Sequence, residues 1–241
     1  MSDTAHRLPV VATALRGHVR QGDNYGIALV LILATILTLA MAGDGALGQF
    51  VAVALGGGTL LFVLHTSQSR PQTLAAAGGI VGVGLVVTGV ALVAGQDPRG
   101  SSLISAIGLL LALIAPIAIA RRVASFPTIT VQAVLAALCI YLLVGLFFSY
   151  VFTFVGSVEG QPFFVQVTDP SRADFLYFSY TTQTTVGYGD LSARTDLGRM
   201  LAVSEALIGQ IYLVSAVAFL VANVGRSRGR GHPGPTDGPS G

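Results

Sequence analysis

The chain has 241 residues, of which 53% are hydrophobic and only 10% charged, and its 13 basic residues outnumber its 11 acidic ones by two. A soluble domain carries about a quarter charged residues, so this profile excludes an ordinary soluble globule and points to a membrane protein. The single cysteine, Cys139, excludes a disulfide within the chain, and every basic residue is an arginine at the end of an apolar run, which argues against a nucleic-acid partner.

Residues 1–24 are polar and arginine-bearing, and form a cytoplasmic N-terminal segment. Between residues 8 and 20, Val11, Leu15 and Val19 share a helical face, with Arg16, His18 and Arg20 nearby and Pro9 suited to a first turn. An interfacial helix on the inner leaflet and a frayed segment whose arginines fix topology are both open.

Six apolar runs follow, each close to the roughly 20 residues a helix needs to cross a bilayer. They are Tyr25–Gly43, Ala46–Leu64, Thr73–Gly95, Ser101–Ala120, Val131–Val155 and Met200–Val224. The first is too long, and lacks a suitable cleavage site, to be a removable signal peptide. Five of the six contain no charge; the last contains Glu205. His65, closing the second run, reads as an interfacial polar residue. The stretch GGIVGVG in the third is not bounded by a strand and a helix start, so it is not a dinucleotide-binding fingerprint. Gly78 and Gly82, four apart, suit close helix packing instead.

Nine arginines (7, 16, 20, 70, 121, 122, 226, 228 and 230) fall on one side of this six-span topology and four (99, 172, 194 and 199) on the other. The positive-inside rule places both termini in the cytoplasm and the 156–199 loop outside. After Gly225 the sequence RSRGRGHPGPTDGPSG has no core-forming residues, so a disordered cytoplasmic tail is expected over 225–241.

The outer loop carries the chemistry. Pro170, Ser171 and Asp174 predict a capped start for a helix running to about Thr184, too short to span. A helix that stops midway points its partly negative C-terminal end into the bilayer, which attracts a cation. The following TTVGYGD, Thr184 to Asp190, must return outward through non-helical backbone, which is tolerated at that depth only against protein or an aqueous cavity. Carbonyls facing one axis require alternating backbone conformations, and glycine supplies positive φ freely at Gly187 and Gly189. A row of carbonyls can replace an ion's hydration shell, yet one chain supplies one oxygen per layer, so several copies must converge.

Over roughly residues 170–224 the sequence resembles the potassium channel superfamily, most closely small prokaryotic channels with six spans per subunit. The resemblance implies that Thr185, Val186, Gly187, Tyr188 and Gly189 coordinate K+ as the transported ion, and that four copies assemble. It implies filter support from Thr184 and Asp190, and a hinge at Gly209 in the inner helix; Gly198-Arg199 at the start of that helix also matches. Many relatives carry two tryptophans in the pore helix where this chain has Tyr177 and Phe178, and some carry a glutamate behind the filter where it has Thr181. Both departures bear on the durability of the filter rather than on selectivity.

In the last run Leu213, Val217 and Val221 recur every four residues, with Gln210 near the same stripe, and are expected to line the pore and form a hydrophobic constriction. Glu205 lies about 120° around the helix from Val217, towards the pore helix or a neighbouring copy, where a structural hydrogen bond is favoured over ion coordination.

The expected architecture is an all-α membrane protein: six transmembrane helices plus a re-entrant pore helix and filter loop, assembling as a four-fold homotetramer. Residues 25–122 form a four-helix peripheral bundle and 131–224 the pore domain. The expected activity is passive K+ conduction across the cell membrane, with no enzymatic site and no cytoplasmic ligand-binding domain in the chain. A weakly selective cation channel is the near alternative. A potassium transporter is the remoter one, since transporters with such filters normally hold four pore repeats in one chain.

The fourth run, SSLISAIGLLLALIAPIAIA, contains no arginine, whereas each gating charge crossing the field is worth about 2.3 kcal/mol per 100 mV. Open probability is therefore expected to change little with voltage, and planar-bilayer recording of the reconstituted protein checks this.

Overall fold

The computed structural model describes residues 25–41, 45–66, 71–94, 102–123 and 131–229. The N-terminal segment with its candidate interfacial helix, Arg70, Arg99 and residues 230–241 lie outside the described residues. Among the described residues seven helices follow in order: α1 Tyr25–Met41, α2 Ala46–Thr66, α3 Pro71–Val93, α4 Ser102–Val123, α5 Val131–Val158, α6 Arg172–Gln183 and α7 Asp196–Gly229. No strand occurs among the described residues beyond an isolated antiparallel bridge between Phe164 and Ala193. By length and composition three segments among the described residues are long and apolar enough to cross a membrane, Pro71–Val90, Val131–Val158 and Asp196–Phe219. Tyr25–Met41, Phe50–His65 and Gly108–Arg121 are apolar but shorter.

The helix ends differ from the expected ones in physically readable ways. Thr195 accepts from the Gly198 amide through its hydroxyl (3.1 Å), so α7 starts at Asp196, four residues before the apolar run. At the other end α7 continues to Gly229, past the expected boundary at Val224 and into the segment expected to be disordered. The helix over residues 172–183 is held by a complete capping box. The Ser171 hydroxyl accepts from the Asp174 amide (3.2 Å) and the Asp174 carboxylate accepts from the Ser171 amide (2.8 Å).

Two apolar cores organise the helices. The first gathers Tyr25, Ile32, Val63, Leu64, Ile119 and Leu143, joining α1, α2, α4 and α5. Within it the Thr35 and Thr59 hydroxyls, 3.0 Å apart, pair across α1 and α2. A mostly apolar cavity of about 100 Å³ lies between these helices, and Arg172 and Leu176 of α6 contribute to its wall. The peripheral helices thus reach the short helix directly, through α1.

The second core is aromatic. Phe152, Phe163, Phe164, Phe175 and Phe178 pack with ring centroids 4.9–6.1 Å apart, mostly edge-on or tilted, as the ring quadrupole prefers. It binds the 159–171 connection to α5 and α6. Arg194 closes the same region, donating to the carbonyls of Pro162 (3.2 Å) and Phe164 (3.1 Å). Among the described residues α7 packs only on α5 and α6.

Gly78 and Gly82 do not mediate the close packing expected of them: open space lies where each Cβ would stand. The intimate contacts fall elsewhere. A Cβ on Gly57 would meet Val81 Cγ1 at 2.5 Å, and one on Gly108 would meet the Tyr150 ring at 2.5 Å. Gly57→Ala is therefore expected to cost about 1–3 kcal/mol through overpacking against a stiff valine, while Gly78→Ala is neutral. Thermal melting of the detergent-solubilised protein checks the pair.

Candidate functional site

The site is a seven-residue loop, Thr184 to Asp190, between α6 and α7, and all seven residues are exposed in the single chain. Its origin is the last turn of α6. A helix end leaves carbonyls without partners, and here the loop's own amides take them. The Thr184 amide donates to Tyr180 O (3.0 Å), Thr185 to Thr182 O (2.9 Å) and Gly187 to Thr181 O (3.1 Å). Thr184 adds its hydroxyl to Tyr180 O at 2.6 Å.

Backbone φ alternates in sign along the loop. Thr185 has φ 59°, Gly187 51° and Gly189 79°, while Val186 and Tyr188 between them stay out of the positive region. Positive φ at the two glycines follows from their missing Cβ. Thr185 was not foreseen: it is the one non-glycine residue with positive φ among the described residues, a conformation that costs a β-branched side chain about 1–2 kcal/mol. Such strain persists only where the surroundings impose it. Here the imposing groups are the amide bonds to Thr182 and, on the far side of Thr185, to Thr181.

The supporting residues separate into those the fold brings to the loop and those it does not. Tyr177 donates its hydroxyl to Asp190 Oδ2 (2.8 Å), and its ring stacks on Tyr188 with centroids 6.2 Å apart and planes 4° from parallel. The hydrogen bond to Asp190, chiefly, holds the Tyr177 hydroxyl above the usual tyrosine range. Asp190 also accepts from the Leu191 amide (3.1 Å). Phe178 does not join this cuff. It is buried in the aromatic core against Phe152, Phe163 and Phe164, since one position along a helix turns a side chain by about 100°. Thr181 hydrogen-bonds back to Phe178 O (3.1 Å) and serves the loop through its carbonyl rather than its side chain.

On α7, Gln210 Nε2 stands 3.5 Å from Thr185 Oγ1, at the foot of the loop and at the long limit of a hydrogen bond. Leu213 and Val217 are both exposed, 43% and 51%; the side chain of Val221 lies outside the described residues. Gly209 lies within unbroken helix, and its role in this structure is contact. A Cβ there would meet Gln183 Cγ at 2.8 Å and Gln183 O at 2.9 Å. Glu205, fully buried, faces α6, with Oε1 2.5 Å from Ser179 Oγ.

Sequence reasoning missed three residues behind the loop. Gln183 is fully buried and donates to Tyr141 O (2.8 Å); Ser179 is fully buried; Gly145 of α5 touches both. One signal was present: Ser179 and Gln183 are four apart on a short helix otherwise apolar on that side, and Gly145 interrupts a run of bulky residues. The arrangement has a clear chemical sense. Loop amides at 184, 185 and 187 are spent on the helix end, so the loop carbonyls outnumber the amides still free to compete with them, and carbonyl acceptors at a helix C-terminus suit a cation.

A family model described as an ion channel matches residues 136–226, from within α5 through α6 and the loop to the last turns of α7. That match covers the whole candidate site and rather more than a third of the chain. No curated protein and no solved structure gives a significant match. The segment from α5 to α7 is thus similar to ion channels, and that likeness supports ion conduction and a membrane location for the chain.

Gly209→Ala is expected to drive α7 away from the end of α6, because the obstacle is partly backbone and cannot rotate aside. A loss of about 1–3 kcal/mol follows, read as a lowered melting temperature, and the loss should shrink when Gln183→Ala is added to remove the Cγ contact.

Proposed function

We propose that the protein is a passive, potassium-selective channel in which four copies bring their 184–190 loops around one axis. Six spans per copy set both termini in the cytoplasm of a cell-membrane protein. The observation that carries this reading is the alternation of positive φ at Thr185, Gly187 and Gly189 in an exposed loop whose amides at 184, 185 and 187 are turned back onto α6. Alternation aims successive carbonyls the same way, and a column of them replaces water around a dehydrated cation. Conduction needs no covalent step, only sites strong enough to admit the ion and weak enough to release it to the next one.

Exposure supports the multiplicity. Val186 and Tyr188 are 52% and 71% exposed in one copy, and α7 leaves Met200, Leu207, Ile211 and Val214 uncovered. Large apolar side chains flanking a polar loop are the surface a neighbouring copy or lipid covers. A weakly selective cation channel is the second reading, and a specific observation favours it. With Phe178 buried in the aromatic core, Tyr177 is, among the described residues, the α6 side chain that ties the short helix to Tyr188 and Asp190.

The deciding experiment is the reversal potential of purified, reconstituted protein with K+ on one side and Na+ on the other. Reversal near the K+ equilibrium value is expected. Reversal near zero selects the weakly selective reading, and silence from a verified tetramer overturns both. In the same assay Tyr177→Phe keeps the ring stack but removes the bond to Asp190. It is expected to lower the K+/Na+ permeability ratio by roughly tenfold, the scale of one hydrogen bond to a charged group.

A further inference from the structure

Behind the loop, three helices meet through groups that conduction itself does not use. Ser179 Oγ of α6 lies 2.6 Å from the Gly145 carbonyl oxygen of α5 and 2.5 Å from Glu205 Oε1 of α7. The hydroxyl has one proton and both neighbours are oxygens, so it cannot donate to both. The carbonyl has no proton to offer. The three atoms are satisfied together when Glu205 is the neutral acid, donating to Ser179, which donates to Gly145. The second carboxyl oxygen points the same way. Glu205 Oε2 is buried with no hydrogen-bond partner, a placement far less costly for a neutral acid than for an ionised one.

One helical turn on, the same helices meet again. Gln183 follows Ser179 by four residues and Gly209 follows Glu205 by four. The Gln183 side chain fits between Gly145 and Gly209, neither of which has room for a Cβ, and donates to Tyr141 O of α5 at 2.8 Å. The Tyr141 and Tyr212 rings, stacked at 6.2 Å, join α5 to α7 alongside, and Tyr212 donates to Ala137 O (2.8 Å). Gln183 is the residue immediately before Thr184. Whatever moves α7 at Glu205 and Gly209 therefore moves the foot of the loop.

We propose that Glu205, as a neutral hydrogen-bond donor to Ser179, is a positioning residue that sets the height and tilt of α6, and through Gln183 the ion selectivity of the loop. This rests on the channel reading above. It assigns the buried acid of α7 a role in coupling the inner helix to the filter rather than in coordinating ions.

The test uses the full-length reconstituted chain, with K+/Na+ permeability ratio, unitary conductance, melting temperature and tetramer fraction measured on each variant. Glu205→Ala and Ser179→Ala are each expected to lower the permeability ratio by roughly tenfold, and the double variant to fall no further, because both break one chain of hydrogen bonds. Glu205→Gln is expected to stay near the wild-type ratio, since its amide donates to Ser179 as the neutral acid does. A Glu205→Ala protein with a lowered melting temperature but an unchanged ratio overturns the proposal in favour of packing alone. A Glu205→Gln ratio as low as that of Glu205→Ala overturns the neutral-donor assignment. If Glu205→Ala does not assemble, Ser179→Ala against Glu205→Gln decides by the same readouts. A wild-type reversal near zero refutes potassium selectivity instead; the coupling is then read from unitary conductance, and unchanged conductance in Ser179→Ala refutes it.

Discussion

A backbone that leaves helical geometry at membrane depth must account for each of its polar groups, because hydrocarbon offers them no partners. Under the proposed reading the 184–190 loop meets that constraint asymmetrically. Its amides at 184, 185 and 187 are used on the carbonyls of Tyr180, Thr182 and Thr181, which the end of α6 would otherwise leave bare. Three donors are thereby consumed while the loop carbonyls remain. The helix end and this part of the loop solve each other's problem, and carbonyls outnumber the amides left over. The strained φ at Thr185 belongs to this solution, since the turn that brings the amides back onto the helix passes through it.

Holding α6 at the right place then becomes a packing problem, and small residues answer it at specific points. Gly145 and Gly209 admit Gln183 from two sides, and Gly198 approaches Ala193 and Phe163 to within about 3 Å of where its Cβ would stand. Around the outer end, the phenylalanine core and Arg194 tie the 159–171 connection to both α5 and the segment leading into α7. The short helix is thus fixed at its outer end by aromatic packing and at its inner end by hydrogen bonds. The two ends differ in kind. Aromatic packing is broad and tolerant of small shifts, whereas the Ser179 and Gln183 contacts fix register.

Much of this was legible in the sequence where the determinants are local. The capping box of Ser171 and Asp174 predicted the start of α6, and the two glycines of the loop predicted positive φ where it occurs. What the sequence hid depends on residues far apart along the chain. Gly145, Gln183 and Gly209 meet only after three helices pack, so the four-residue spacing of Ser179 and Gln183 marks a buried face without naming its partners, and the contact of Gly209 with Gln183 has no local signal. Gly78 and Gly82 mislead in the opposite sense: four-residue spacing permits close packing but does not require it. Phe178 fails for a geometric reason. Pairing it with Tyr177 by analogy ignores the turn of about 100° that sends adjacent helical side chains to different neighbours.

The distribution of contacts also separates the parts of the chain by how freely each can move. α5 packs on α1, α4, α6 and α7, whereas α7 touches only α5 and α6 among the described residues and leaves long apolar side chains uncovered along its length. An element with few contacts inside its own chain is the one whose position is set from outside, by lipid or by neighbouring copies. Its firmest attachments within the chain, Glu205 to Ser179, Gly209 to Gln183 and Tyr212 to Ala137, all fall in its middle. Under the proposed reading, a shift of α7 is therefore transmitted to the loop through this fixed middle. The peripheral helices reach the same place by another route, through α1 against α6 and the cavity wall at Leu176. Both routes converge on the short helix, so the loop is governed by how α6 is held rather than by its own sequence alone.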